Sequence, residues 1–211
     1  CAAGVVFLTL VECGRQIKSQ NKNTPNLMEY LDLVALGTVA DVAPLIGVNR
    51  AFVRQGLKIL STRQRLGLQM LIDKSGLNST PTSYHLGYIL GPKLNAPGRI
   101  GPSDLAIKLL CSNSISEATN LCEEIEELNL KRKEIENNVR EEALEKVDKN
   151  QAKNSIIWAA AEGWHPGVVG IVASRLKDKF NKPALVIGFD GIEGKGSGRS
   201  VDGYDLGFAI Q

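Results

Sequence analysis

Between Ser114 and Asp148 the chain contains neither glycine nor proline, and no other stretch limits the possible folds so strongly. Apolar residues recur there at Ala118, Leu121, Ile125, Leu128, Ile135, Val139, Ala143 and Val147, close to a 3.5-residue period. Ser114 and Glu117 open the run with the Ser-x-x-Glu spacing of a capping box. The pattern predicts one helix of about 35 residues, roughly 50 Å long at 1.5 Å per residue. Such a helix exceeds the width of a small domain. It reads as an acidic, solvated helix with one buried stripe, suited to connect a section before it to a section after it.

The 211 residues are 43% hydrophobic and 23% charged. That is ordinary globular composition and excludes a collagenous, low-complexity or fully disordered chain. No apolar run approaches the ~18 residues of a membrane span. The apolar start, Cys1 to Leu10, has no basic leader before it, so no signal peptide is expected. With no initiator methionine and an abrupt end at Gln211, a piece of a longer protein is expected. Cysteines stand at 1, 13, 111 and 122 without a Cys-x-x-Cys pair, which fits free thiols in a reducing cytoplasm. The net charge of +2 is uneven: +6 over residues 1–113, −5 over 114–149 and +1 over 150–211. A basic first section favours a polyanionic partner, or else supplies only solubility.

Before the long helix, residues 1–19 show helical periodicity. Asn26 and Glu29 suggest a second helix start, and Leu36 to Pro44 breaks that helix. Helices are predicted over Asn49–Leu60 and Thr62–Lys74, an extended segment over 82–90, and a glycine- and proline-rich loop over Gly91–Pro102. Ser103 is expected to cap a short helix ending near Leu110. After the long helix, Ser155–Ala161 and Lys182–Gly188 read as strands around a helix from Val168 to Phe180. That β-α-β unit implies parallel strands with a right-handed crossover. The fold class is therefore α/β, with a helix-rich first part.

Four groups of residues could carry chemistry. His165-Pro-Gly167 stands where a strand gives way to a helix, whose free N–H groups favour an anion. Arg175 lies two turns further along. The alternative is a plain tight turn. Gly194-Lys-Gly-Ser-Gly-Arg-Ser200 could cradle an oxyanion on its backbone, with Ser197 giving a hydroxyl and Arg199 a planar fork for phosphate. The alternative is a glycine-rich hairpin. Asp41, among small apolar residues, is either a metal ligand or a helix cap, and Asp32 nine residues before it makes no local chelate. Lys93, Asn95 and Arg99 lie in the proline-stiffened loop, which could hold cations towards a phosphate or be an ordered turn.

These segments together resemble the RecJ family of single-stranded-DNA-specific 5′-to-3′ exonucleases, within the DHH phosphoesterase superfamily. The resemblance rests on Tyr30–Leu45, Leu90–Gly101, Asn129–Glu136, Glu162–Leu176 and Gly194–Ser200, which stand in family order. It implies that residues 1–113 are the later part of a DHH catalytic domain, 114–149 a connecting helix, and 150–211 the start of a small α/β DHHA1 substrate-binding domain. Asp41 matches the last metal-binding aspartate of a site for two Mn²⁺ or Mg²⁺ ions. Arg99, His165, Arg175, Ser197 and Arg199 match positions that meet single-stranded DNA or its terminal phosphate. The implied reaction is hydrolysis at the 5′ end in repair and recombination, in the cytoplasm and without a membrane. The alternatives are another DHH phosphoesterase, acting on short oligonucleotides or cyclic dinucleotides, and a non-catalytic nucleic-acid-binding paralogue. The family's Asp-His-His triplet and its Gly-Gly-His segment are missing, so these residues alone are expected to be inactive. Two smaller departures are Pro97, where a small non-proline residue is usual, and Lys93, where arginine is common.

Overall fold

The computed structural model describes residues 1–150 and 154–211, with only the backbone at 148–150. The expected boundary near residue 150 adjoins 151–153, which lie outside the described residues. Two compact units emerge: Cys1–Pro97 with Ser103–Glu126, and Gly98–Pro102 with Glu127–Gln211. Among the described residues no helix is long and apolar enough to cross a membrane.

The first unit packs helix on helix. It contains α1 (Ala2–Ser19), α2 (Leu31–Ala40), α3 (Gly47–Ser61), α4 (Leu66–Lys74), α5 (Ser83–His85), α6 (Gly91–Ile100) up to Pro97, α7 (Leu105–Cys111), and α8 (Ile115–Asn150) up to Glu126. Phe7 of α1 meets Leu31 and Val34 of α2, and its ring stands edge-on to Phe52 of α3 at 5.4 Å. A Cβ at position 56 would lie 2.1 Å from the Leu31 carbonyl oxygen. Glycine there lets α3 press its backbone against α2. Beneath α2, the buried Asp32 carboxylate pairs with Arg65 at 2.8 Å and accepts the Leu33 N–H at 2.7 Å. Asp32 is thus held by a structural partner.

Several local expectations are corrected in this unit. Helix α2 continues to Ala40 rather than breaking at Leu36, because Leu36 and Thr38 are buried and the Thr38 hydroxyl donates to the Val34 carbonyl at 2.6 Å. Helix α4 starts at Leu66, not Thr62, because Arg63 takes a left-handed φ of 53° and ties its guanidinium to Asp73 and the Leu77 carbonyl. Residues 83–90 are helical, not extended: α5 passes into a π-helical turn, Leu86–Leu90, that buries both leucines. The same alternation of apolar residues fits either form, and the i, i+4 pair Leu86/Leu90 decides for the helix. Gly91–Ile100 is helix α6 rather than a loop, with Pro97 inside it and Gly91, Leu94, Ala96 and Pro97 buried. Asp104, not Ser103, stands at the start of α7.

Helix α8 runs unbroken from Ile115 to Asn150. Ser114 accepts the Glu117 N–H at 3.4 Å, while the Glu117 carboxylate takes the Ser112 hydroxyl instead of closing the box. Its buried positions are Ala118, Cys122, Ile125, Asn129, Arg132, Glu136, Val139, Ala143 and Val147. The steps alternate four and three as far as Ala143 and end with a second four to Val147, with three polar residues in the middle where the apolar stripe of the sequence lapses.

The second unit is the expected β-α-β layer. Strand β1 (Ile157–Glu162) pairs parallel with β2 (Ala184–Asp190), from Ile157 opposite Ala184 to Glu162 opposite Phe189. Helix α9 (Pro166–Phe180) crosses between them, and α10 (Leu206–Ile210) follows the sheet. Strand β3 (Glu193–Arg199) returns antiparallel along β2, giving the order β1-β2-β3. Val168, Val172 and Leu176 of α9 are fully buried against Ala143 and Val147 of α8, Ile157 of β1 and Val186 of β2, and Ile100 packs on the same core. Each fully buried Val or Leu contributes about 1.5–3 kcal/mol.

Candidate functional site

Helix α9 begins where its sequence implies. His165 is the N-cap, and its Nδ1 accepts the Gly167 N–H at 3.0 Å. Pro166 occupies the first helical turn, where its missing N–H costs nothing. His165 therefore shapes the start of α9 through its Nδ1.

Arg99 reaches this turn from residues 98–102 of the same unit. Its Nη1 donates to the Gly167 carbonyl at 3.2 Å. A Cβ at 167 would lie 2.0 Å from the Arg99 carbonyl oxygen, so only glycine permits the approach. One turn on, a Cβ at Gly170 would meet Ser197 Oγ at 3.1 Å and Arg199 Nη2 at 3.2 Å. The glycine face of α9 is the floor on which those two side chains lie.

Of the run Gly194–Ser200, all but Ser200 lies in strand β3 and does not form a turn that wraps an anion in successive N–H groups. Its glycines serve clearance. A Cβ at 194 would sit 2.8 Å from Phe189, at 196 2.9 Å from Ile187, and at 198 2.8 Å from Leu206. With period two, Lys195, Ser197 and Arg199 then share the other face, towards α9. Arg199 is held in place there: Nε donates to Ser174 Oγ at 3.1 Å, and Nη1 to Ser197 Oγ at 3.1 Å and to the Gly198 carbonyl at 2.8 Å.

Two hollows open on this face. One of about 370 Å³ is lined by Arg99, Gly167, Gly170, Lys195, Ser197 and Arg199 among others. The second, about 220 Å³, is lined by Arg99, Ser174, Arg175, Asp178 and Arg199 with Gly170 and Ile171. They share Arg99, Gly170 and Arg199 and make one groove with four cationic side chains and a single carboxylate. The sequence-predicted Arg99, Arg175, Ser197 and Arg199 converge here. Lys195 and Ser174 also line it and were not singled out from sequence. The strand alternation placing Lys195 beside Ser197 and Arg199 was the signal for the first.

Three sequence-predicted residues belong to the first unit. Lys93 is mostly buried and spends its charge on Glu126 at 2.5 Å. Asn95 is exposed on α6. Asp41 is exposed and ends α2 as its C-cap.

A DHHA1 domain match covers residues 153–211. The single-stranded-DNA-specific exonuclease RecJ of Bacillus subtilis is 44% identical over 181 residues, covering 84% of this chain and 23% of the relative. The RecJ of Escherichia coli is 37% identical over 222 residues, covering 99% of this chain and 38% of the relative. Among solved structures, the Mg²⁺ complex of RecJ from Thermus thermophilus superimposes with a TM-score of 0.81 at 31% identity, over 92% of this chain and 30% of that one. Over these residues the chain is similar to one part of the RecJ exonucleases. A manganese-bound exonuclease RecJ matches equally well, with a TM-score of 0.81 at 31% identity over 98% of this chain and 50% of that one. The chain spans about a quarter to two-fifths of the length of these curated RecJ relatives.

Among the described residues no group of three His, Cys, Asp or Glu side chains could hold an ion. Asp41 alone is one carboxylate, and a divalent site needs several ligands. The described residues do not make up a site for the ion.

Proposed function

We propose that this chain supplies the strand-holding part of a metal-dependent 5′-to-3′ exonuclease acting on single-stranded DNA. The observation that carries the reading is the groove between β3 and α9, with Arg99, Arg175, Lys195 and Arg199 around Ser174 and Ser197. In this reading residues 1–113 are the later part of a DHH catalytic domain, 114–149 the connecting helix and 150–211 the start of the DHHA1 domain. Asp41 is the one residue of this chain that family likeness assigns to the Mn²⁺ or Mg²⁺ ions of such an enzyme, and alone it makes no site for them. Lys93 and Asn95, the other two cation-loop residues of the sequence, do not line this groove, and the Lys93 charge is committed to Glu126. A cytoplasmic location goes with this reading, supported by four free cysteines.

The chain's own residues bind and orient. Ser174 and Ser197 fix the Arg199 guanidinium from two sides, so its planar fork meets a phosphate without first losing rotamer freedom. Arg99, tied to the first turn of α9, brings a second cation to the same hollow. His165 caps α9 and keeps the Gly167 backbone at the groove wall.

Titrating a 5′-phosphorylated single strand at several salt concentrations tests the reading in the full-length protein. Losing a charge-assisted contact costs roughly 1.5–3 kcal/mol. Arg199→Ala is therefore expected to weaken binding about tenfold to a hundredfold. Its salt slope should be shallower by roughly 0.7, the share of one phosphate contact to a single strand. Ser197→Ala should cost about 1 kcal/mol. Unchanged affinity and slope in both variants would overturn the reading.

A further inference from the structure

The three polar residues in the buried stripe of α8 are joined to the groove. Arg132 Nη1 donates to Glu136 Oε2 at 2.6 Å, and Nη2 donates to Asn129 Oδ1 at 2.9 Å. All three residues are more than nine-tenths buried. The other carboxylate oxygen, Glu136 Oε1, faces Arg175 Nε at 3.8 Å, and the Arg175 side chain is otherwise 61% exposed at the groove. Glu136 therefore stands between a buried arginine and a groove arginine. Among the described residues Arg132 Nε and Asn129 Nδ2 have no hydrogen-bond partner, which is costly for buried donors.

An ion pair this deep is weak evidence for stability, because desolvation offsets most of the attraction. Burial accordingly pulls the Arg132 guanidinium below its usual range. Glu136 opposes that shift, and the like charges of Arg99 and Arg175 add to it. The buried cation is thus within electrostatic reach of two groove arginines.

We propose that Arg132 is a positioning residue for the groove: it holds Glu136 and takes up its negative charge, so that Glu136 anchors Arg175 without neutralising it. The proposal rests on the reading of the groove as a phosphate site. The carboxylate fixes where Arg175 stands, and the buried arginine leaves the Arg175 charge available to a nucleic-acid backbone. Without Arg132, Glu136 would draw its charge balance from Arg175 instead.

The salt slope of binding to a 5′-phosphorylated oligothymidylate reads that charge directly. In the full-length protein Arg132→Met should lower the slope by roughly 0.7, the value of one lost phosphate contact, and weaken binding about tenfold. Arg132→Gln, which keeps a donor for Glu136 and drops the charge, should do the same if the methionine variant does not fold. Arg132→Met/Glu136→Leu removes both buried charges and should return the slope to the wild-type value, and Arg132→Lys should retain it. Folded Arg132→Met or Arg132→Gln protein with a wild-type slope would overturn the proposal, and so would a double variant as low as the single one. Arg175→Ala and Arg199→Ala serve as controls. If neither changes binding, the groove reading fails, and that failure is separate from any result at Arg132.

Discussion

Gly91–Gly101 and Gly194–Ser200 look alike in sequence, each rich in glycine with basic residues interspersed, yet they become different things. The first turns into helix α6, whose start is dry, with Gly91, Leu94, Ala96 and Pro97 buried and Lys93 paired with Glu126, while Arg99 near its end lines the groove. The second becomes an edge strand, with its glycines under Leu185, Ile187 and Phe189 and its polar side chains towards an open groove. What surrounds a glycine decides whether it shapes a backbone or clears a path for a neighbour. What surrounds a cation decides whether its charge is spent internally or left for a ligand.

Stability should separate the segments most. A Cβ at 91 would lie 2.7 Å from the Leu86 backbone oxygen, which cannot swing away. Overpacking typically costs 1–3 kcal/mol, so Gly91→Ala should fall near the upper end, at about 3 kcal/mol in denaturant melts. A Cβ at 198 would meet only the tips of Leu206 and Leu185, at 2.8 and 3.0 Å, and Gly198→Ala should cost about 1 kcal/mol. Equal costs would break the comparison.

Dryness around Lys93 is sharpened by Cys122, one turn before Glu126 on α8. Burial pushes its thiol up to about 11, against the partial counter-effect of Lys74 and Lys93. At pH 8 its alkylation should lag well behind that of the exposed Cys13 and Cys111, and thiol titration by mass spectrometry would show the order. The sign for stability follows. Because the folded thiol holds its proton above the ordinary value of 9.0, this group's contribution is fully present below pH 9 and is lost as pH rises towards 11. Alkylation of Cys122 at the pace of Cys13 would show that the surroundings of Lys93 are wet.

The smallest effect is expected at Lys93 itself. Its ammonium is committed to Glu126, so Lys93→Ala should change single-strand affinity less than threefold and leave the salt slope in place, against the tenfold or greater loss at Arg199. A loss as large as that at Arg199 would show that the Lys93 charge is free for a ligand as well.

The long helix and the β-α-β layer were legible because each repeats its own period over many residues. Ser114 to Asp148 holds no breaker, and Ile157, Ala159, Val168, Val172, Leu176, Ala184 and Val186 all take the buried places that their spacing implies. Arg99, Arg175, Ser197 and Arg199 could be singled out by type, since arginine and serine beside glycine suit a phosphate. Their convergence could not, because it depends on Gly167 and Gly170 letting residues 98–102 and β3 close on α9. The helical character of residues 83–100 was hidden for a related reason. Glycine and proline argue for a loop locally, and burial of Leu86, Leu90, Leu94 and Ala96 outweighs them. Asn129, Arg132 and Glu136 show the division most plainly. Their spacing continues the heptad of α8, a local property carried by residue order alone. That polar groups fill the buried face there, with Glu136 turned between Arg132 and Arg175, depends on partners brought from α9, and only the folded chain supplies those.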